Sequence, residues 1–465
     1  GTLFRVVELE SPAFEELYAL VMYTDETFTE TLYDEGPLVA VSGMPSFDVK
    51  ATWDTAPSSY FTAELGLVEV QPVLPGWSVQ GHGTTGPADA GGPGGALALA
   101  EAIRFAAGQT RTVDGLTVAQ VAQRKVCNEK VLLLGTSGGG ITALMTLSLH
   151  GEDVAPLLVG LSLFEVPTVP QFSTGALGTV WMDADVDGDA DGNGYLWDDS
   201  RLTSYVPGSC DALACEADYS TIDWDESSEI GDLYPEFFKT LEQPGMLYLD
   251  RDGVEGLTLS ELGLTDGDFN GAVDEYEDFP IIAHQDTYTD AETPRMFYAP
   301  AVLEAAIEYG AMDPEAWPEQ LATLEESENF WATRNAMVHL DDVAAKMEPD
   351  FRMNVVFTEV DHAQAQSSRP HLVQLHDGLA ERGMTVRYNV DELTARCGLD
   401  NTALEDFAGG PAAGTIVVEG ELAPYAFPDD FRRPFTRAVG AIGLYWDLLG
   451  PFDYCPQLLP GMTTR

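Results

Sequence analysis

The chain has 465 residues, an apolar share of 45%, and 77 acidic against 22 basic residues, for a net charge of −55. That length and apolar content suit a globular protein of two or three units, and no run reaches the ~18 apolar residues a membrane span needs. A field of this sign repels phosphate backbones and anionic lipid, which argues against nucleic-acid partners and electrostatic membrane docking.

In chain order, residues 16–23, 37–41 and 67–74 read as strands, and 96–107 has helical periodicity with small residues suited to packing on a sheet. A buried apolar run at 131–134 ends in Gly135-Thr136-Ser137-Gly138-Gly139, followed at once by a small-residue helical pattern. Another apolar strand covers 157–163. Strands alternating with helices at this spacing predict a doubly wound, mostly parallel sheet of the α/β class. From about 166 to 290 the chain is rich in Asp, Gly, Tyr and Trp. Helical patterns resume at 299–310 and 315–347, followed by a strand at 353–358, a helix at 369–383, a strand at 385–389 and a helix at 430–448. The expected units are 1–165, an insertion at 166–345, and 346–465.

Gly-x-Ser-x-Gly between strand and helix is the sequence form of a nucleophile elbow, in which glycines let strand and helix approach closely and lift Ser137 into the open. A serine hydroxyl needs a base to take its proton and donors to hold the oxyanion.

The order of elements resembles the α/β-hydrolase fold: sheet strands, elbow serine, a strand, a large insertion where that family places its cap, then two closing strand–helix units. The Gly81-His82-Gly83-Thr84-Thr85-Gly86 loop is similar to the His-Gly turns near the family's active site. The resemblance implies an esterase- or lipase-like serine hydrolase. It assigns the oxyanion donors to the backbone N–H groups of Gly138 and Met44, and the acid to Asp361 beyond the 353–358 strand. The family's histidine follows the last strand, but no histidine occurs after His376 here. Of the seven histidines, His362 alone lies on a loop expected to overhang the strand ends, so it is assigned as base. Asp391 or Glu165 stands as an alternative orienting carboxylate to Asp361.

The insertion carries a second motif. Asp266-Gly267-Asp268-Phe269-Asn270-Gly271-Ala272-Val273-Asp274-Glu275-Tyr276-Glu277 fits the twelve-residue calcium loop D-x-[DN]-x-[DN]-G-x₅-E. Asp266, Asp268, Asn270, Asp274 and Glu277 supply side-chain oxygens, Ala272 its carbonyl, and Gly271 the sharp turn. A weaker copy upstream keeps Asp250, Asp252 and Glu261 but has Glu255 where glycine belongs. With four residues between them, the two resemble dockerin-type loops more than a helix-flanked EF-hand pair. Alternating aspartates at 183–191 offer a third site through Asp189, Asp191 and Asn193. One to three Ca²⁺ ions are expected, as structural cofactors holding a cap over the serine.

Five cysteines are present, with Cys210–Cys215 and Cys397–Cys455 the preferred bridges and Cys127 a small buried hydrophobe. Bridges and calcium loops together predict a secreted or cell-surface protein, with the periplasm also open. The chain begins Gly1-Thr2-Leu3, and a signal segment is expected to have been removed. The expected partner is a small-molecule or polymeric ester. A secreted peptidase of the same fold, or a non-catalytic calcium-dependent adhesion protein on this scaffold, are the alternatives.

Overall fold

The structure is a computed structural model that describes residues 2–24, 38–43, 67–89, 91–164, 166–172, 219–229, 244–249, 279–280, 284–286, 295–347, 351–356, 371–388, 415–418 and 421–424. Its main sheet has eight strands, numbered here in chain order. They are β1 (Thr2–Glu8), β2 (Tyr18–Thr24), β3 (Leu38–Gly43), β4 (Val68–Pro72), β5 (Cys127–Thr136), β6 (Leu158–Phe164), β7 (Arg352–Val356) and β8 (Thr385–Tyr388). They lie in the order β1-β2-β4-β3-β5-β6-β7-β8. β1 pairs antiparallel with β2 and β2 with β4, while every pairing from β4 through β3 to β8 is parallel. This is an α/β fold with a mostly parallel sheet.

Parallel strands need crossovers, and here helices supply most of them. Among the described residues these include α1 (Pro93–Ala106), α2 (Gly138–Val154), α3 (Pro300–Glu308), α4 (Leu324–Ala332), α5 (Leu340–Lys346) and α6 (His371–Glu381). Cross-strand partners share a sheet face. The face carrying Val41, Val70, Leu133, Leu161 and Val355 joins α1, α2, α5 and α6 in one apolar cluster. The opposite face buries polar side chains as well, and there the Ser42 hydroxyl donates to Glu69 at 2.5 Å.

The segment between β6 and β7 contains an apolar cluster of its own. Ile222, Leu247, Met296, Tyr298, Leu303, Phe330 and Trp331 form a second apolar cluster. A three-stranded antiparallel sheet, Ile222–Glu229, Pro244–Leu249 and Phe279–Pro280, supplies part of it. The buried Tyr298 hydroxyl accepts the Leu247 N–H at 2.9 Å, and Trp331 Nε1 donates to the Tyr298 carbonyl at 2.9 Å. Burial raises the Tyr298 phenol well above its ordinary pKa.

The sequence predicts helical patterns over 315–347, but residues 315–323 are not helical: α4 starts at Leu324 and ends at Ala332, and a 3₁₀ turn at Ala336–His339 precedes α5. Asn335 is extended and its side chain accepts the Met337 N–H at 2.9 Å. The break lets Arg334 turn inward.

At the start of α4, Thr323 and Glu326 form a reciprocal capping box. Arg295 holds the Glu326 carboxylate in a bidentate grip at 2.5 and 2.7 Å. The Arg295 hydrogen bond leads in depressing the Glu326 pKa to about 2, with Thr323 adding to it. A depressed carboxylate contributes stability that is present above its unfolded pKa and lost as pH falls through its folded one. The window here is roughly pH 4.5 to 2. Glu326→Gln is expected to lower the melting temperature at pH 7, where the contribution is fully present, and the difference from wild type is expected to shrink as pH falls from about 4.5 to 2, read by tryptophan fluorescence. Superimposable acid curves for variant and wild type would contradict this.

Candidate functional site

Ser137 joins β5 to α2 with φ 49° and ψ −133°. Gln80 and Gln123 are the other non-glycine residues with positive φ among those described. Holding a side-chain residue in such a region costs about 1–3 kcal/mol, so the surroundings must enforce it. The neighbouring glycines show how. A Cβ on Gly135 would stand 2.6 Å from the Gly140 Cα and 2.9 Å from Leu163 Cδ2. One on Gly43, which pairs with Gly135 across the sheet, would collide with the Gly139 carbonyl. One on Gly140 would collide with the Val166 side chain. The ends of β3 and β5 and the first turn of α2 approach closely because these glycines carry nothing.

The Gly138 N–H begins α2, among the first amides that have no acceptor within a helix, and the positive helix end lies behind it. Such an amide can hold an anion. β3 ends at Gly43, which pairs with Gly135 directly beside the elbow. β7 lies two strands from β5 and runs parallel to it, ending at Val356 on the same edge as Ser137.

Ser137 itself is 1% exposed. The sequence reading lifts it into the open, and this is corrected. A tight bend sets the direction in which the side chain leaves the backbone, but exposure depends on what packs above the strand ends. Cys127 also differs from expectation, standing half-buried at the start of β5 rather than in the core.

A buried charged pair next to the elbow was not found by sequence reasoning. Asp89 accepts the Gly94 N–H at 2.5 Å and the Gly95 N–H at 3.1 Å, capping α1 from three residues ahead of its N-cap Gly92. Arg334 reaches across from the far end of the insertion and donates to the Asp89 carbonyl from Nε at 2.9 Å and Nη2 at 2.5 Å. Burial pushes the Asp89 carboxyl upward, against the lowering influence of the Arg334 charge and of the Gly95, Gly94 and Gly92 amides. The local signal was Asp89 placed shortly before Gly92-Pro93, an acidic residue ahead of a proline-started helix. Nothing local pointed to Arg334, which is 245 residues away.

The remaining expected site residues lie outside the described residues. These are Met44, Asp361, His362, Glu165 and Asp391, the calcium-loop residues at 189–193, 250–261 and 266–277, and the four cysteines at 210, 215, 397 and 455. The predicted helix at 430–448 falls there too. Several described histidines have partners of their own. His82 packs its ring on Tyr18 at 5.1 Å, and His376 Nδ1 lies 2.9 Å from Asp377. His339 Nε2 lies 3.3 Å from the Ala332 carbonyl, and burial followed by the Arg104 charge lowers the His150 pKa. Among the described residues no helix is long and apolar enough to cross a membrane.

No family model matches the chain, and no curated protein matches it in sequence. Among solved structures it is similar to the esterase Est22, at 12% identity and a TM-score of 0.34, over 83% of this chain and 72% of that one. It is similar to brefeldin A esterase, described as a bacterial homologue of human hormone sensitive lipase, at 14% identity and a TM-score of 0.33, over 83% of this chain and 68% of that one. Likeness to one of two fungal esterases from Rhizomucor miehei stands at 10% identity and a TM-score of 0.26, over 38% of this chain. This chain covers 48% of that esterase, about half its length. Strand order, parallel pairing and the bent Ser137 backbone define an α/β fold with an elbow serine at the C-terminal edge of its sheet.

Proposed function

We propose that the protein is a serine hydrolase of the α/β-hydrolase type, cleaving carboxylic esters through an acyl-enzyme at Ser137. The observation that carries this reading is the Ser137 backbone, held in a strained conformation by glycines whose one evident use is to form the elbow. In the proposed reaction, the Ser137 hydroxyl attacks the ester carbonyl and His362 takes its proton. The Gly138 and Met44 N–H groups hold the oxyanion, and His362 then returns the proton to the departing alkoxide. Water repeats the sequence on the acyl-enzyme and releases the acid. Asp361, Asp391 or Glu165 orients the imidazole.

Chain connectivity supports these assignments. Met44 directly follows Gly43 at the elbow. Asp361 and His362 follow Val356, which ends two strands away, or about 10 Å at ordinary strand spacing. We assign 166–345 to a cap that covers the serine, consistent with the burial of Ser137 and with a separate apolar cluster in that segment. Calcium at the 266–277 loop, and at the weaker 250–261 and 183–193 clusters, would add folding free energy there. Secretion is proposed on the same calcium loops and on the cysteine pairs.

The test is turnover of p-nitrophenyl butyrate against a peptide p-nitroanilide, in millimolar calcium. Preferential ester cleavage, lost in His362→Ala, is the expected result. Preference for the anilide would indicate a peptidase, and no turnover of either would favour the non-catalytic adhesion reading. Chelation is expected to lower the melting temperature by at least several degrees, read by calorimetry with and without EDTA. An unchanged melting temperature removes calcium from the account.

A further inference from the structure

The two connections between insertion and sheet are tied together, and the entry packs on the first turn of the serine helix. At the entry, Val166 packs where a Gly140 side chain would otherwise stand. At the exit, Ala336 N–H donates to the Thr168 carbonyl at 2.9 Å, tying the departing chain to the arriving one. Two residues before that tie lies Arg334, 1% exposed. Its guanidinium stacks 3.5 Å from the Phe330 ring centroid, and Nη1 donates to the Phe330 carbonyl at 2.8 Å and to Thr333 Oγ1 at 2.9 Å. Its other two nitrogens hold the Asp89 carbonyl.

The Asp89 loop in turn rests on the serine helix. Gly91, at φ +81°, approaches so closely that a Cβ there would stand 3.0 Å from Thr142 Oγ1 and 3.5 Å from Ile141 Cγ2. Gly92 leaves room for the guanidinium, since its Cβ would stand 2.6 Å from Arg334 Nη2. Thr146 Oγ1, 2.7 Å from the Thr142 carbonyl, also lies 3.1 Å from the Ala96 carbonyl, bringing α1 and α2 together one turn further on. A contiguous path thus runs from the end of the insertion through Arg334, Asp89 and Gly91 to the turn that carries Ser137 and the Gly138 N–H.

We propose that Arg334 is a positioning residue for the elbow, linking the root of the insertion to the first turn of α2 through the Asp89–Gly92 loop. Resting on the serine-hydrolase reading above, this inference adds that the insertion takes part in aligning the nucleophile as well as covering it. A planar fork is needed: one face stacks on Phe330 while separate nitrogens satisfy carbonyls on two elements, which a lysine ammonium cannot do.

The test compares wild type, Arg334→Lys and Arg334→Met for the rate constant and the amplitude of fluorophosphonate labelling at saturating probe. Amide exchange over residues 138–142 is measured in parallel. A misplaced nucleophile slows acylation on the order of tenfold to a hundredfold. Arg334→Met is therefore expected to label to full amplitude with a rate constant reduced by that factor, to turn over ester with lower kcat at similar KM, and to exchange faster at 138–142. Arg334→Lys should recover part of each loss. A wild-type rate constant with reduced amplitude would show that Arg334 only supports folding, and would overturn the proposal. If wild type takes no label, the serine-hydrolase reading fails, and the exchange data decide the link alone: protection at 138–142 unchanged in Arg334→Met would overturn it.

Discussion

Gly135→Ala is expected to destroy the elbow. The added methyl would stand 2.6 Å from the Gly140 Cα and 3.2 Å from the Gly140 amide nitrogen, both backbone atoms of the helix that follows. A flexible side chain can rotate away, but here β5 or the first turn of α2 must move. Gly43 already lies against the Gly139 carbonyl and Val166 against Gly140, so α2 has no free space on either side. Overpacking of a core typically costs about 1–3 kcal/mol, and a backbone-on-backbone clash belongs at or beyond the top of that range. The expected result is a melting temperature lower by roughly 5 °C or more, with ester turnover lost even where the protein remains folded. A variant with wild-type stability and turnover would mean that strand and helix are not pressed together as described.

Ser137→Ala should leave the fold intact and remove the chemistry. Losing the nucleophile of an acyl-enzyme mechanism lowers kcat on the order of 10⁴ to 10⁶-fold, because the base and oxyanion donors have little left to act on. Companion Ser137→Gly tests the strain independently of catalysis. At φ 49° and ψ −133° an alanine is still confined to a poorly populated region, whereas glycine is at ease there. Both variants should be inactive, and Ser137→Gly should melt at a higher temperature than Ser137→Ala. The reverse order of melting temperatures would remove strain from the account.

The elements that position Ser137 were legible because their information is local. The run at 131–134 and its flanking glycines encode a buried strand, a bend and a helix within about fifteen residues, and β5, Ser137 and α2 follow that reading. The strands at 16–23, 37–41, 67–74 and 157–163 likewise correspond to β2, β3, β4 and β6. β1 was missed because it lies at the edge of the sheet, where Leu3 and Arg5 are exposed and the intervening residues only half-buried. Its apolar alternation is correspondingly faint.

The helix break near residue 333 was hidden for another reason. The sequence from 324 to 346 keeps an apolar pattern compatible with one helix, and at the break Asn335 is extended and Arg334 is bonded to the distant Asp89 carbonyl. Long-range pairing leaves little trace in local periodicity, which is also why the Asp89–Arg334 contact could be found only with the fold in hand.

The whole proposed reaction rests on the Ser137 hydroxyl being a nucleophile. Its most direct test is peptide mapping by mass spectrometry after treating the wild-type protein with a fluorophosphonate. The account predicts a single phosphonyl adduct on the peptide containing Gly135 to Gly140, assigned to Ser137 by fragmentation and absent from Ser137→Ala. An adduct on a different residue, or an unmodified Ser137 in folded protein after prolonged treatment, would contradict it.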